Sequence, residues 1–172
     1  MFEPKKISNI FIADAANYLI KRVEVNHMKL QKLLYYAYCK HLVKYKEKFI
    51  VGKAQAWPKG PVFKPLYQHL KHYGRDEIIV KTIEQGNEKK LSPSRKATLD
   101  FIINKYGFVD AGSLMRQTMR EEPWQDYYEE AEYGHFPKSR SIPDESLYEY
   151  FKKEENWYHF HKICPTCLKE MD

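Results

Sequence analysis

The sequence of 172 residues predicts a mainly α, α+β fold. It reads as a compact helical domain of about six helices, with a small β element between the second and third. Three observations carry this. Apolar residues recur at three- and four-residue spacing through most of the chain. Asn, Ser, Asp, Pro and Gly stand where such stretches should begin or stop. And 14 Tyr, 9 Phe and 3 Trp supply the large buriable area that one core of this size needs.

Ile7, Phe11, Ala15, Tyr18 and Leu19 share one helical face, with Ser8 as the expected cap and Val23 as the end. Asn26 caps a second helix whose Leu30, Leu33, Leu34, Ala37, His41 and Leu42 form a wide apolar face, widened further by Tyr35, Tyr36 and Tyr38. So apolar a helix should be central. From Phe49 to Trp57 the pattern loosens and is broken by Gly52, which predicts one or two short strands. Pro58, Gly60 and Pro61 impose a turn. Pro61 is expected in the first turn of a third helix carrying Val62, Leu66, Leu70 and Tyr73, with Gly74 as a left-handed C-terminal cap. Ile78 to Ile83 reads as another short strand. Ser92 and Pro93 open a fourth helix that ends at Tyr106 and Gly107, and Asp110 caps a fifth through Leu114, Met115 and Thr118, stopped by Pro123. An acidic aromatic segment and a linker-like stretch, Gly134 to Ser141, precede a last helix opened by Pro143. The expected division is a domain over residues 1–153 and a tail over 154–172.

No run approaches the roughly 18 apolar residues of a membrane span, and the N-terminus lacks the pattern of a signal peptide, so a cytoplasmic location is expected. Three cysteines make no disulfide framework. The net charge of +6 is unevenly placed. Residues 1–120 hold 23 basic and 10 acidic side chains, whereas residues 121–172 hold 6 and 13. A +13 body joined to a -7 C-terminal part suits an acidic partner or nucleic acid, and equally suits two faces that neutralise each other.

Nothing assembles a catalytic set, and the chain is read as no enzyme. The seven glycines are dispersed and form no phosphate-cradling loop, and Ser94 and Ser113 lack a nucleophile-elbow context. His69 and His72 could orient a metal or phosphate, or could simply be solvated; Glu121 and Glu122 could be an acid-base pair, or helix-end acids. His159, His161, Cys164 and Cys167 have zinc-ligand chemistry, with two thiols three positions apart, against the alternative of a reduced exposed tail. The interface-like features are Gln31, Lys32 and Tyr35 on the second helix, and Trp57 followed by the stiff Gly60 and Pro61 turn. A rigid aromatic beside Lys suits a protein-binding hot spot, while the competing reading places the Tyr35 and Trp57 rings in the core.

Leu30 to Tyr36 with Ala56 and Trp57, then Gly60, Pro61 and Val62 with Tyr67 downstream, resemble the Panacea domain of SocA-like antitoxins and phage-associated GepA-like proteins. Leu114, Thr118, Pro123 and Trp124 extend the likeness, as does the segment from Ile142 to Phe151, so that it spans about residues 7–151. Met119 stands where a family His commonly follows the Thr, so no role of that His transfers. The tail with its two cysteines lies outside the pattern. The resemblance implies a non-enzymatic antitoxin that binds a cognate toxin; the interface-like residues Gln31, Lys32, Tyr35, Trp57, Gly60 and Pro61 are the expected contact surface. It also implies a phage or prophage setting and, for some relatives, adaptor delivery of the toxin to a protease. The alternative is a nucleic-acid-binding regulator using the basic N-terminal two-thirds.

Overall fold

In the computed structural model, residues 2–7, 9–130, 140–163 and 166–171 are described. Asn26 starts α2 (His27–Tyr45) by accepting the Lys29 N–H on its side chain at 2.9 Å. This helix is the axis of the fold: it packs against α1 (Ile12–Ile20), α4 (Pro93–Tyr106), α5 (Ala111–Met119) and α7 (Asp144–Phe151), and against the strand β2 described below. All the apolar residues expected on its face are buried.

Helix α1 is shorter than its periodicity suggests. Ser8, its expected cap, lies outside the described residues. Asp14 performs that task from inside the helix, its buried carboxylate accepting the Phe11 N–H at 2.8 Å and the Asn87 N–H at 2.7 Å. Ser92 and Asp110 cap α4 and α5 as expected, through the Arg95 and Ser113 N–H groups. Pro123 does not stop α5, which has already ended at Met119. It lies in the first turn of a further short helix, α6 (Glu122–Gln125), giving seven α-helices among the described residues. Pro143 precedes α7 as expected.

The β element lies between α2 and α3 (Lys64–Leu70), as predicted, but its members differ. Strand β1 (Gln55–Trp57) pairs antiparallel with β2 (Gly60–Val62) across Pro58 and Lys59, and with β3 (Arg140–Ser141) on its other edge. Pro61 therefore stands in a strand, where the edge position tolerates its missing N–H. Pro65 takes the place in the first turn of α3. Residues 49–53 form no strand, because the carbonyls of Lys48 and Phe49 accept from the buried Arg95 guanidinium, each at 2.8 Å. Nor do residues 78–83. The Ile79 N–H donates to Val25 O at 2.8 Å, and the Asn17 amide occupies both the N–H and the C=O of Ile83, at 2.7 and 2.9 Å. Helix α3 ends without a left-handed cap, so Gly74 does not serve as one; the glycines with positive φ are Gly52 and Gly60.

Packing continues beyond residue 153, where the sequence places a boundary. Trp157 is buried against Tyr36 and Phe151 and donates its indole N–H to Phe151 O at 2.8 Å. A small exposed hairpin of β4 (Lys162–Ile163) and β5 (Glu170–Met171) follows.

Replacing Asn17 by Ala should strip two buried groups of Ile83 of their partners and lower stability by about 2–4 kcal/mol. In native-state hydrogen exchange the Ile83 amide should lose protection, while the Ile79 amide, bonded to Val25, keeps it.

Candidate functional site

A groove of about 410 Å³ opens between the start of α2, the β1–β2 turn, and α3 with the turn that follows it. Gln31 and Lys32 form its floor. The Gln31 amide clamps the start of α3, accepting the Phe63 N–H at 2.9 Å and donating to Phe63 O at 3.2 Å. Lys32 is only 1% exposed, and its Nζ donates to Pro61 O at 3.0 Å. Burial disfavours the charged amine and brings it down to about 7. Burial, with the nearby Lys32 charge, likewise holds His27 at about 4, so its imidazole is neutral at pH 7.

Trp57 and Tyr67 form the wall. Their rings meet edge-on at 5.1 Å, Tyr67 stacks on His27 at 5.8 Å, and the Trp57 indole N–H donates to Gln55 Oε1 at 2.9 Å. Behind the wall, the Trp57 carbonyl accepts the Trp124 indole N–H at 2.8 Å. Gly60 has φ +103°, and a Cβ there would come within 2.7 Å of Thr118 Oγ1 and 2.9 Å of Lys32 Cε. Only glycine lets the hairpin lie this close to α2 and α5.

Of the six residues expected at a binding surface, Gln31, Lys32 and Trp57 line the groove, and Gly60 and Pro61 support it from behind. Tyr35 does not reach it. It is fully buried, and its ring packs edge-on against Phe151 of α7. Helical spacing places it on the stripe of Gln31 and Lys32, but α7 covers that stripe beyond Lys32. The core reading is correct for Tyr35, whereas Trp57 is half-buried. Sequence reasoning did not assign His27, Met28, Lys59, Tyr73 or Arg75 to the groove. They come from three separate segments, and no short spacing joins them.

Glu121 and Glu122 do not act as a pair. Glu122 is exposed, while Glu121 is buried beside the Tyr36 hydroxyl, 3.1 and 3.2 Å from its two carboxylate oxygens. Burial pushes Glu121 up to about 8. On the same side of the molecule Glu122, Asp126, Glu145, Glu149 and Glu155 surround an acidic cleft. His69 lines a smaller hollow with Phe11 and Val51, and the exposed His72 lies against Tyr73. In the tail, His159 Nδ1 is 3.2 Å from Lys105 Nζ, His161 faces Glu170, and Cys167 is exposed. Cys164 lies outside the described residues. Among the described residues no three His, Cys, Asp or Glu side chains converge as a metal site, and no helix is long and apolar enough to cross a membrane.

The family model described as antitoxin SocA-like, Panacea domain, matches residues 30–125, from the first turn of α2 to the end of α6. The match is narrower than the span of 7–151 expected from the motifs. It contains the groove's floor and its Trp57 and Tyr67 wall. Comparisons with curated proteins and with solved structures give no match.

Gly60→Ala should cost about 2 kcal/mol or more, since it combines a strained backbone with a close contact. A drop in Tm of about 4–8 °C would register it. Glu121 binds its proton more tightly folded than unfolded, so its stabilising contribution is full below about 4.5 and is lost as pH rises to about 8. Urea titrations of Glu121→Gln across this window should show a flatter pH dependence than the parent chain.

Proposed function

The chain belongs to the SocA-like antitoxin, Panacea-domain family, and from that membership we propose that it neutralises a cognate toxin by direct protein–protein binding, without catalysis of its own. The groove is the proposed contact surface. The observation that carries this choice is a preorganised aromatic wall, Trp57 against Tyr67, beside the exposed cations Lys59 and Arg75. Rigid aromatics with flanking charge are what protein hot spots use, and the Gln31 and Lys32 bonds to the following backbone hold the wall in place before any partner arrives. The sequence resemblance to phage-associated proteins adds a phage or prophage setting to the same proposal. Neutralisation is proposed to occur by occlusion of the toxin, with delivery to a protease as the competing mode.

The uneven charge supports a second reading, binding of nucleic acid by the basic residues 1–120. Phosphate contacts would make that binding fall steeply with salt. A gel shift absent even at low salt would remove it.

Coexpression with the product of an open reading frame adjacent to the gene tests the leading reading. That product should arrest growth alone, and this chain should restore growth with the toxin level unchanged on an immunoblot. A falling toxin level would replace occlusion by protease delivery. Lys59→Glu and Arg75→Glu, both at exposed sites, should weaken the complex by about tenfold or more while shifting Tm by no more than about 2 °C. A harmless neighbour, or an arrest that this chain does not relieve, overturns the reading.

A further inference from the structure

We propose that the groove takes one large apolar side chain from a segment of the protein partner that carries acidic residues on both sides of this anchor, where Lys59 and Arg75 meet them. This rests on the partner-binding reading above and specifies its chemistry.

The inference starts from the lining groups that are left for a partner. The polar groups of the floor and wall are already used. The Gln31 amide is bonded in both directions to Phe63, Lys32 Nζ is enclosed on Pro61 O, the Trp57 indole N–H goes to Gln55, and His27 Nε2 lies 3.3 Å from Gln31 Nε2. What stays accessible is largely hydrocarbon: the exposed Tyr67 ring and the half-buried Met28, Trp57 and Tyr73. A concave surface of this kind gains most by covering a side chain that is itself apolar. Its volume of about 410 Å³ lies near the lower end of the roughly 300–1,000 Å³ of small-ligand sites, room for one bulky side chain and the backbone that carries it.

The rim fixes the charge of the partner. Lys59 stands in the β1–β2 turn and Arg75 in the turn after α3, the two segments between which the groove opens, and both are exposed. None of the described lining residues carries a carboxylate, and neither cation forms an ion pair among the described residues. Asp76 and Glu77 follow Arg75 outside the lining, and Glu77 is engaged by the Gly74 N–H at 3.2 Å. A segment crossing the groove passes one cation on each side of its anchor, so it is complementary when acidic residues flank that anchor. Nucleic acid is the poorer fit. A seated base needs hydrogen-bond partners for its edge, and those of the floor are taken, while the Trp57 and Tyr67 rings meet edge-on and form no parallel slot.

Three blocked peptides probe this: Ac-Glu-Glu-Phe-Glu-Glu-NH2, its Gln-flanked counterpart, and the Glu-flanked peptide with Ala at the centre, followed by NMR at the Trp57 indole N–H. In about 50 mM salt the Glu-flanked Phe peptide should bind about three- to tenfold tighter than the Gln-flanked one, and an advantage of about twofold or less should remain in about 1 M salt. Ala at the centre should weaken binding by about tenfold or more. In the double variant Lys59→Glu with Arg75→Glu the preference should invert toward a Lys-flanked Phe peptide, a gain of binding that misfolding cannot produce; should that variant not fold, the salt dependence of the unaltered protein decides. Equal binding of the Glu- and Gln-flanked peptides, binding indifferent to the central Phe, a preference unchanged in the double variant, no Trp57 shift at millimolar peptide, or tighter binding of an oligothymidylate at the same resonance overturns the proposal. Growth rescue without a preference for the Glu-flanked Phe peptide sinks only this inference, whereas that preference without rescue sinks the antitoxin reading and leaves the groove's chemistry standing.

Discussion

A helix of nineteen residues enclosed on nearly every side must find partners inside the protein for each polar side chain it carries. Helix α2 does so for several of them by spreading the partners over the whole fold, while the buried Tyr35 hydroxyl and His41 Nε2 have no hydrogen-bond partner among the described residues. Gln31 clamps Phe63 at the start of α3, and Lys32 holds Pro61 in β2. Tyr36 meets Glu121 ahead of α6, Tyr38 bonds Asp144 at the start of α7, and His41 Nδ1 lies 2.9 Å from Thr98 Oγ1 on α4. Each bond pins a different element to the same axis. An apolar helix of the same shape would pack, but it would not specify where the hairpin and α3 must sit.

The groove is a consequence of where that enclosure is incomplete. Around Tyr35, Tyr36 and Tyr38 the helix is sealed by α5, α7 and the buried Trp157. At its N-terminal end the covering elements are a two-residue turn and a seven-residue helix, and a groove lined in part by the buried Gln31 and Lys32 remains between them. The bonds that satisfy these two residues also fix the backbone that carries Trp57 and Tyr67. Stability and recognition thus share residues here, which is why Gly60 at the contact point between hairpin, α2 and α5 has no room for a side chain.

Charge is divided in the same way. Cations line the groove, whereas five carboxylates surround the cleft beside α6 and α7. The imbalance visible between residues 1–120 and 121–172 is therefore a property of surfaces as well as of segments. Glu121 stands apart from those acids, because burial keeps it largely protonated below about 8 and turns it into a core polar group.

What the sequence by itself determined is the set of helices that begin with local chemistry: Asn26, Ser92 and Asp110 each cap a helix within three residues, and apolar spacing of three and four predicts what each buries. It also carried the family motifs, which are contiguous. Only the tertiary structure decided that residues 49–53 and 78–83 are not strands, since their hydrogen bonds go to Arg95 and Asn17, 46 and 66 residues away from Phe49 and Ile83. It likewise decided that Tyr35 belongs to the core and Lys32 to the groove floor. Both lie on one helical stripe, and what separates them is the helix laid over one and not the other, which no local spacing encodes.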